Sequence, residues 1–265
     1  MQPLQPDTSY HIFNHANGFE NVFRKEENFY FFLEKYRLYI SPIAETYAYC
    51  LMPNHFHLVV RIRKRAVIEE LIRNKNKTKN NFSKVSNLEQ SYNIPENQFN
   101  ITKTVNFGKV KNVNLSQNQF NITKTVNFGK VEEIIISDSE IEKYLSKQFA
   151  NLFSCYTQSF NKVYNRMGSL FIKNFKREPI RDKTHFLNVV VYTHRNPVHH
   201  GFCSKYEDWD YSSYNDIING VCDLTETNKL LKMAGGLESF TERHRFALED
   251  FTAIYELEIP KPKDD

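Results

Sequence analysis

The sequence predicts an α+β domain, built from both strands and helices. Residues 47–63 show the pattern of two strands separated by a turn that contains Pro and Asn. Residues 26–40 and 137–166 instead carry apolar side chains at helical spacing. The length of 265 residues is sufficient for one sizeable domain with additions.

The predicted elements follow one another without long interruptions, except between residues 74 and 136. They are a strand at 10–16, a helix at 26–40, strands on both sides of the turn at 51–54, a helix from 137 to about 166, a strand at 170–177 and a helix at 184–196. Ser137 and Glu140 match a capping box, which marks the start of the long helix.

The second strand of the pair carries two histidines on one side. Alternate side chains of a strand face opposite ways, so residues 56, 58, 60 and 62 form an apolar face. His55, His57, Val59 and Arg61 share the other face. Two neutral imidazoles about 6–7 Å apart along a strand suit a divalent metal ion. Ordinary hydrogen bonding by two strand histidines is the alternative explanation.

A tyrosine near the end of the last predicted helix is the candidate nucleophile. Thr184 is the expected N-cap, and Pro197 is expected to end the helix at about Asn196. Asn188, Tyr192 and Asn196 then lie on one helical face. A tyrosine that only filled a core would normally have apolar neighbours four residues away. A run of three valines before the tyrosine favours a strand instead.

These two segments resemble motifs of one protein family. Residues 47–60 resemble the His-hydrophobic-His motif of the IS200-like tyrosine transposases, and residues 191–201 resemble their tyrosine helix. Three further segments, at 10–18, 160–177 and 208–214, agree in the family's order. The resemblance covers roughly residues 8–65 and 140–245, and is greatest for the REP-associated tyrosine transposases.

The resemblance implies a fold, a mechanism and a ligand. The fold is a ferredoxin-like antiparallel sheet with helices, of the HUH-endonuclease type. Tyr192 would cut single-stranded, hairpin-forming DNA and keep a 5′-phosphotyrosine link. His55, His57 and Asn196 would hold Mg²⁺ or Mn²⁺. Two alternatives stay open, a metal-dependent nuclease that uses water and a non-catalytic DNA-hairpin-binding protein derived from a transposase. A homodimer is also left open.

Basic residues cluster on both sides of these motifs, although the net charge is only +4. The clusters suit contacts with a phosphate backbone. The candidate DNA-binding residues are Arg61, Arg63, Lys173, Lys176, Arg177 and Arg181. A solvated surface is the alternative explanation, and it is preferred for residues 73–79.

The stretch 74–136 departs from the family. It is rich in Asn, Lys, Ser and Thr, and it contains the same segment twice, at 97–110 and 118–131. We expect an insertion that is disordered or forms a loose hairpin. The insertion would interrupt a catalytic domain at 8–215, and a helical extension would follow at 216–265.

The four cysteines show no paired spacing in the sequence, which predicts a reducing compartment. The sequence shows neither a signal peptide nor an apolar run long enough to span a bilayer, so a cytoplasmic location is expected.

Overall fold

The computed structural model describes residues 2–18, 20–88, 135–221 and 223–245. A four-stranded antiparallel sheet lies at its centre, with the strand order β2-β3-β1-β4. The strands are β1 (Ser9–His15), β2 (Ala44–Met52), β3 (His55–Ile62) and β4 (Lys176–Pro179). The antiparallel sheet and its accompanying helices confirm the predicted α+β class.

Helices follow most of the strands. They are α1 (Glu26–Tyr39), α2 (Arg65–Leu88), α3 (Asp138–Val163), α4 (Lys183–His199), α5 (Tyr214–Asn219), α6 (Thr227–Ala234) and α7 (Leu237–Arg245). The capping box at the start of α3 is confirmed, because Ser137 Oγ accepts from Glu140 N and Glu140 accepts from Ser137 N. Within the described residues, none of the helices has the length and apolarity needed to cross a bilayer.

The two faces of the sheet carry different helices. Phe56, Leu58, Val60 and Ile62 of β3 point into a large apolar core shared with α1 and α3. Val59 points the other way, into a second core that contains residues of α4 to α7. The alternation predicted for β3 is therefore confirmed. The histidines of β3 lie on the α4 side, because they share the parity of Val59.

The ends of α4 differ from the prediction. The helix begins at Lys183, and Asp182 is its N-cap, because the Asp182 carboxylate accepts from His185 N at 2.9 Å. The predicted cap at Thr184 is therefore wrong. The helix also continues through Pro197 to His199. A proline removes a single amide donor, which costs little in a last turn, and the Asn196 carbonyl still accepts from His200 N at 3.0 Å.

Two other boundaries are corrected. The fourth strand is Lys176–Pro179 and not 170–177, because Asn174 adopts a left-handed conformation with φ of 66° that interrupts extended backbone. Helix α2 continues to Leu88, so residues 74–88 are helical and neither disordered nor a hairpin. Both copies of the repeated segment lie outside the described residues.

Candidate functional site

The histidine strand and the tyrosine helix meet on the α4 face of the sheet. His55 Nε2 and Asn196 Oδ1 are 3.0 Å apart, although the two residues are 141 positions apart in the chain. The rings of His55 and His57 are perpendicular, with centroids 5.1 Å apart. The structure thus brings together the residues that the sequence singled out in β3 and α4.

Tyr192 lies in the interior of this arrangement. Its side chain is 0% exposed, and its ring meets the rings of His57 and His11 edge-on, each at a centroid distance of 5.7 Å. Asn196 lies one helical turn further along α4 and is also fully buried. The candidate nucleophile therefore lies against two imidazoles, and it is shielded from solvent in this conformation.

His11 of β1 is a site residue that the sequence analysis missed. Its Nε2 lies 3.1 Å from His57 Nδ1, and both rings are buried. This contact uses one ring nitrogen of His57, so a metal ion would have to bind His57 through Nε2. The strand pattern contained the signal, because His11 and His15 are four positions apart in β1, an even spacing that places them on one face.

Two more histidines extend the group at its outer end. His15 lies directly opposite His55 across the β1–β3 pair, and the two rings stack with centroids 4.6 Å apart. The His200 ring lies 5.0 Å from that of His55. We call the five residues His11, His15, His55, His57 and His200 the histidine cluster.

Burial keeps the inner imidazoles neutral. Desolvation, with a smaller contribution from nearby histidines, lowers the pKa of His11 and of His55 to about 3. The pKa of His57 falls well below its ordinary value of 6.5 for the same reasons. A neutral imidazole has a lone pair that can bind a metal ion or accept a proton.

The donors at this site fit a divalent ion in their chemistry. His55 and His57 supply neutral nitrogens and Asn196 supplies an amide oxygen, while Asn196 Nδ2 is buried without a hydrogen-bond partner in the described part of the chain. Binding would require the hydrogen bond between His55 and Asn196 to open. The described residues contain no group of three His, Cys, Asp or Glu side chains arranged to hold a metal. A metal ion bound by His55 and His57 would therefore take the amide oxygen of Asn196 as its third protein ligand.

The candidate DNA-binding residues divide between different surfaces. Arg61 is paired with Asp7 at 2.9 Å, and Arg63 donates to the carbonyl of Ser41 at 3.0 Å. Arg181 lines a cavity of about 400 Å³ that reaches His11.

The remaining three residues come from β4 and the segment before it. Lys176 shares the face of the histidine cluster, because it lies opposite Phe13 in the β1–β4 pair. Arg177 faces α3 instead, and together with Lys173 it lines a separate groove. A single basic run in the sequence therefore serves two faces of the sheet.

A buried hydrogen-bond chain fixes α4 from behind. His194 Nε2 lies 2.8 Å from Ser213 Oγ, and His194 Nδ1 lies 2.9 Å from His244 Nε2 of α7. Ser213 Oγ also accepts from Tyr49 N of β2 at 2.9 Å. The chain connects α4 to both β2 and α7, and it has no recognisable spacing in the sequence.

Comparisons with known proteins give one structural likeness. No family model matches this chain, and no curated protein matches its sequence. A solved structure of a REP-associated tyrosine transposase bound to a REP hairpin is 12% identical, with 84% of this chain and 87% of that chain covered, at a TM-score of 0.40. A likeness at this TM-score does not establish a shared fold or activity.

Proposed function

We propose that this protein is a metal-dependent transposase that cuts and rejoins single-stranded, hairpin-containing DNA through a 5′-phosphotyrosine. The observation that carries the proposal is the contact between β3 and α4. Two segments chosen from the sequence for their chemistry, and far apart in the chain, meet with His55 against Asn196 and with His57 against Tyr192. The resemblance of both segments to IS200-like tyrosine transposases supports the same reading.

We further propose that the fold is ferredoxin-like and of the HUH-endonuclease type. The strand order β2-β3-β1-β4 supports this assignment. So does the connectivity, because α1 links β1 to β2, while α2 and α3 lie between β3 and β4. Helices α1 and α3 share the core on one face, which leaves the other face for α4 and the histidine cluster.

In the proposed reaction the Tyr192 oxygen attacks the phosphorus of a DNA phosphodiester. A bond forms between the tyrosine oxygen and phosphorus, and the bond from phosphorus to the 3′ oxygen breaks. The 3′ oxygen leaves and takes up a proton to become a hydroxyl. The tyrosyl ester retains the energy of the original bond, so another 3′-hydroxyl can attack it and join new ends.

The tyrosine must lose its proton, and an ordinary phenol has a pKa of about 10. His11 and His57 contact its ring, but burial lowers the pKa of both imidazoles, so neither is a strong base. Nearby positive charge, from a metal ion or from basic side chains, would instead favour the ionised tyrosine. A Mg²⁺ or Mn²⁺ ion held by His55, His57 and Asn196 would supply positive charge to the scissile phosphate. Mn²⁺ tolerates imidazole ligands better than Mg²⁺ does.

Burial of Tyr192 imposes a further requirement. With the side chain 0% exposed, a phosphate can reach the hydroxyl only after α4 moves relative to the sheet. Cutting should therefore depend on an opening step that DNA binding drives.

The test is denaturing electrophoresis after incubation with labelled hairpin DNA and Mn²⁺. Wild type is expected to form a covalent protein–DNA adduct. Tyr192→Phe removes only one oxygen and should form none. Tyr36→Phe is the matched control, because Tyr36 is equally buried but lies in the core on the opposite face, where its hydroxyl contacts Thr46.

The outcomes separate the alternatives. An adduct that survives in Tyr192→Phe assigns the nucleophile to another residue. Metal-dependent cleavage without any adduct identifies a nuclease that uses water. Hairpin binding without cleavage identifies a non-catalytic DNA-binding protein.

A further inference from the structure

A groove on the other side of the sheet is not used by the proposed reaction. It runs between α3 and the segment 169–177, which leads into β4, and its volume is about 490 Å³. This size is typical of sites for small organic groups. One wall is a stripe of polar side chains along α3, formed by Ser146, Ser154, Thr157 and Gln158.

Aromatic rings form the apolar part of the groove. Phe153, Phe171 and Phe175 pack together, with the Phe153 centroid 5.4 Å from that of Phe171 and 5.5 Å from that of Phe175. Phe171 is buried, whereas Phe153 and Phe175 are half-buried and line the open space. Aromatic surface of this kind is where bases stack in proteins that bind single strands.

Two cations complete the groove. The guanidinium of Arg177 lies 5.2 Å from the centroid of the Phe175 ring, and its Nε is buried without a hydrogen-bond partner in the described part of the chain. Lys173 is exposed. Among the described residues neither cation forms an ion pair, and no carboxylate lines the groove. Burial lowers the pKa of Arg177, and Glu142 acts on it only through space.

The groove lies close to the histidine cluster, at the same end of β1. Ile172 N donates to the carbonyl of His15 at 2.9 Å, and Asn14 donates to the carbonyl of Ile172 at 3.1 Å. The His15 ring in turn stacks on His55. The groove and the cluster thus occupy opposite faces of one strand end, and an extended polymer can pass around that end from one to the other.

We propose that the groove binds an unpaired nucleotide of the DNA strand, with its base against Phe153 and its phosphate on Arg177 and Lys173. This inference rests on the proposed function, because it places the nucleotide in a strand that continues to Tyr192. The polar wall of α3 offers hydrogen bonds to base edges. A double helix cannot be the ligand of this groove, because its bases are already stacked on one another and cannot enter it.

Binding is measured by the fluorescence anisotropy of a labelled single-stranded DNA, with a chelator present so that no metal-dependent cutting occurs. Lys173→Ala removes a phosphate contact, and Ser154→Trp fills the groove from an exposed position of α3. Each should weaken binding about tenfold. Lys147→Ala is the matched control, because Lys147 is an exposed α3 lysine outside the groove.

Salt dependence gives a second measurement. Lys173→Ala should make the slope of log K against log salt shallower by about 0.7, the value for one phosphate contact on a single strand. Lys147→Ala should leave the slope unchanged. The melting temperature of each variant shows that a loss of affinity is not a loss of folding.

The proposal is overturned if wild type does not bind the single strand, or if both groove variants bind it as wild type does. An equal loss of affinity for the same sequence as a duplex also overturns it. Full competition by a mononucleotide assigns the groove to free nucleotides instead of a strand. Failure of the proposed function gives a different result. If the groove variants weaken binding but wild type never forms a covalent adduct, the groove proposal stands and the assignment of Tyr192 as the nucleophile fails.

Discussion

Mild acid should unfold this protein at a pH at which its carboxylates are still ionised. Five histidines are buried in the described part of the chain, namely His11, His55, His57, His194 and His244. Burial lowers the pKa of His11 and His55 to about 3 and that of His244 to about 4. It holds the pKa of His57 and His194 well below 6.5.

The magnitude follows from linkage between protonation and folding. In the unfolded chain a histidine has a pKa of about 6.5, so below that pH the unfolded state binds protons that the folded state does not bind. The stability that neutral, buried histidines allow is therefore retained well above pH 6.5, and it is lost as the pH falls from there towards the folded-state pKa. At pH 5 each buried histidine costs ~2 kcal/mol, and five together cost ~10 kcal/mol. A typical domain has only ~5–15 kcal/mol in total.

Urea unfolding of the metal-free protein, followed by circular dichroism between about pH 7.5 and 5, measures this loss. The unfolding free energy should level off towards about pH 7.5, and below about pH 6.5 it should fall with a slope that approaches the uptake of about five protons. His244→Gln should reduce the uptake by about one proton. Stability that is constant down to pH 5, or an unchanged slope in His244→Gln, would refute the assignment of these histidines as buried and neutral.

Three further predictions concern the metal site, the anchoring of α4 and the segment outside the described residues. His57→Ala should abolish Mn²⁺-dependent cleavage while hairpin binding persists, and Asn196→Ala should weaken cleavage less, because water can replace an amide oxygen; unchanged metal dependence in His57→Ala removes the ion from this site. Ser213→Ala leaves Nε2 of His194 and the backbone amide of Tyr49 in β2 without their partner, so urea unfolding should show a loss of ~1–3 kcal/mol. No loss of stability would contradict the buried hydrogen-bond chain. Replacing residues 89–134 by a flexible linker of about 20 residues should preserve one cooperative melting transition. The reason is that α2 and α3 keep their contact, and that a change of linker length costs little entropy. A broad, non-cooperative melt would show that the segment belongs to the core.

The sequence was most informative where periodicity alone decides the structure. Period-two alternation placed Phe56 and Leu58 on one face of β3 and His55 and His57 on the other, because a strand has no third direction for a side chain. The start of α3 was equally accessible, since a capping box is a contact between residues three apart. Such signals are local, and a single sequence contains them.

The remaining features depend on distant contacts. The hydrogen bond between the rings of His11 and His57 requires β1 and β3 to be neighbouring strands, and periodicity does not determine which strands are neighbours. Pro197 remains helical because α4 is packed on both the sheet and α7, and such packing overrides a local preference. The division of Lys176 and Arg177 between two faces was implicit in strand alternation, but only the correct bounds of β4 reveal it.

The strand order also has a consequence for synthesis of the chain on the ribosome. Strand β1 lies between β3 and β4, and β4 follows β3 by about a hundred residues. At ordinary elongation rates, one edge of β1 therefore waits roughly 5 to 20 seconds for its partner after β3 has emerged. An unpaired strand edge is a template for pairing with another chain. Nascent chains of this protein should accordingly be most prone to aggregate during that interval, and chaperones that bind exposed strands should engage them before Lys176 is made.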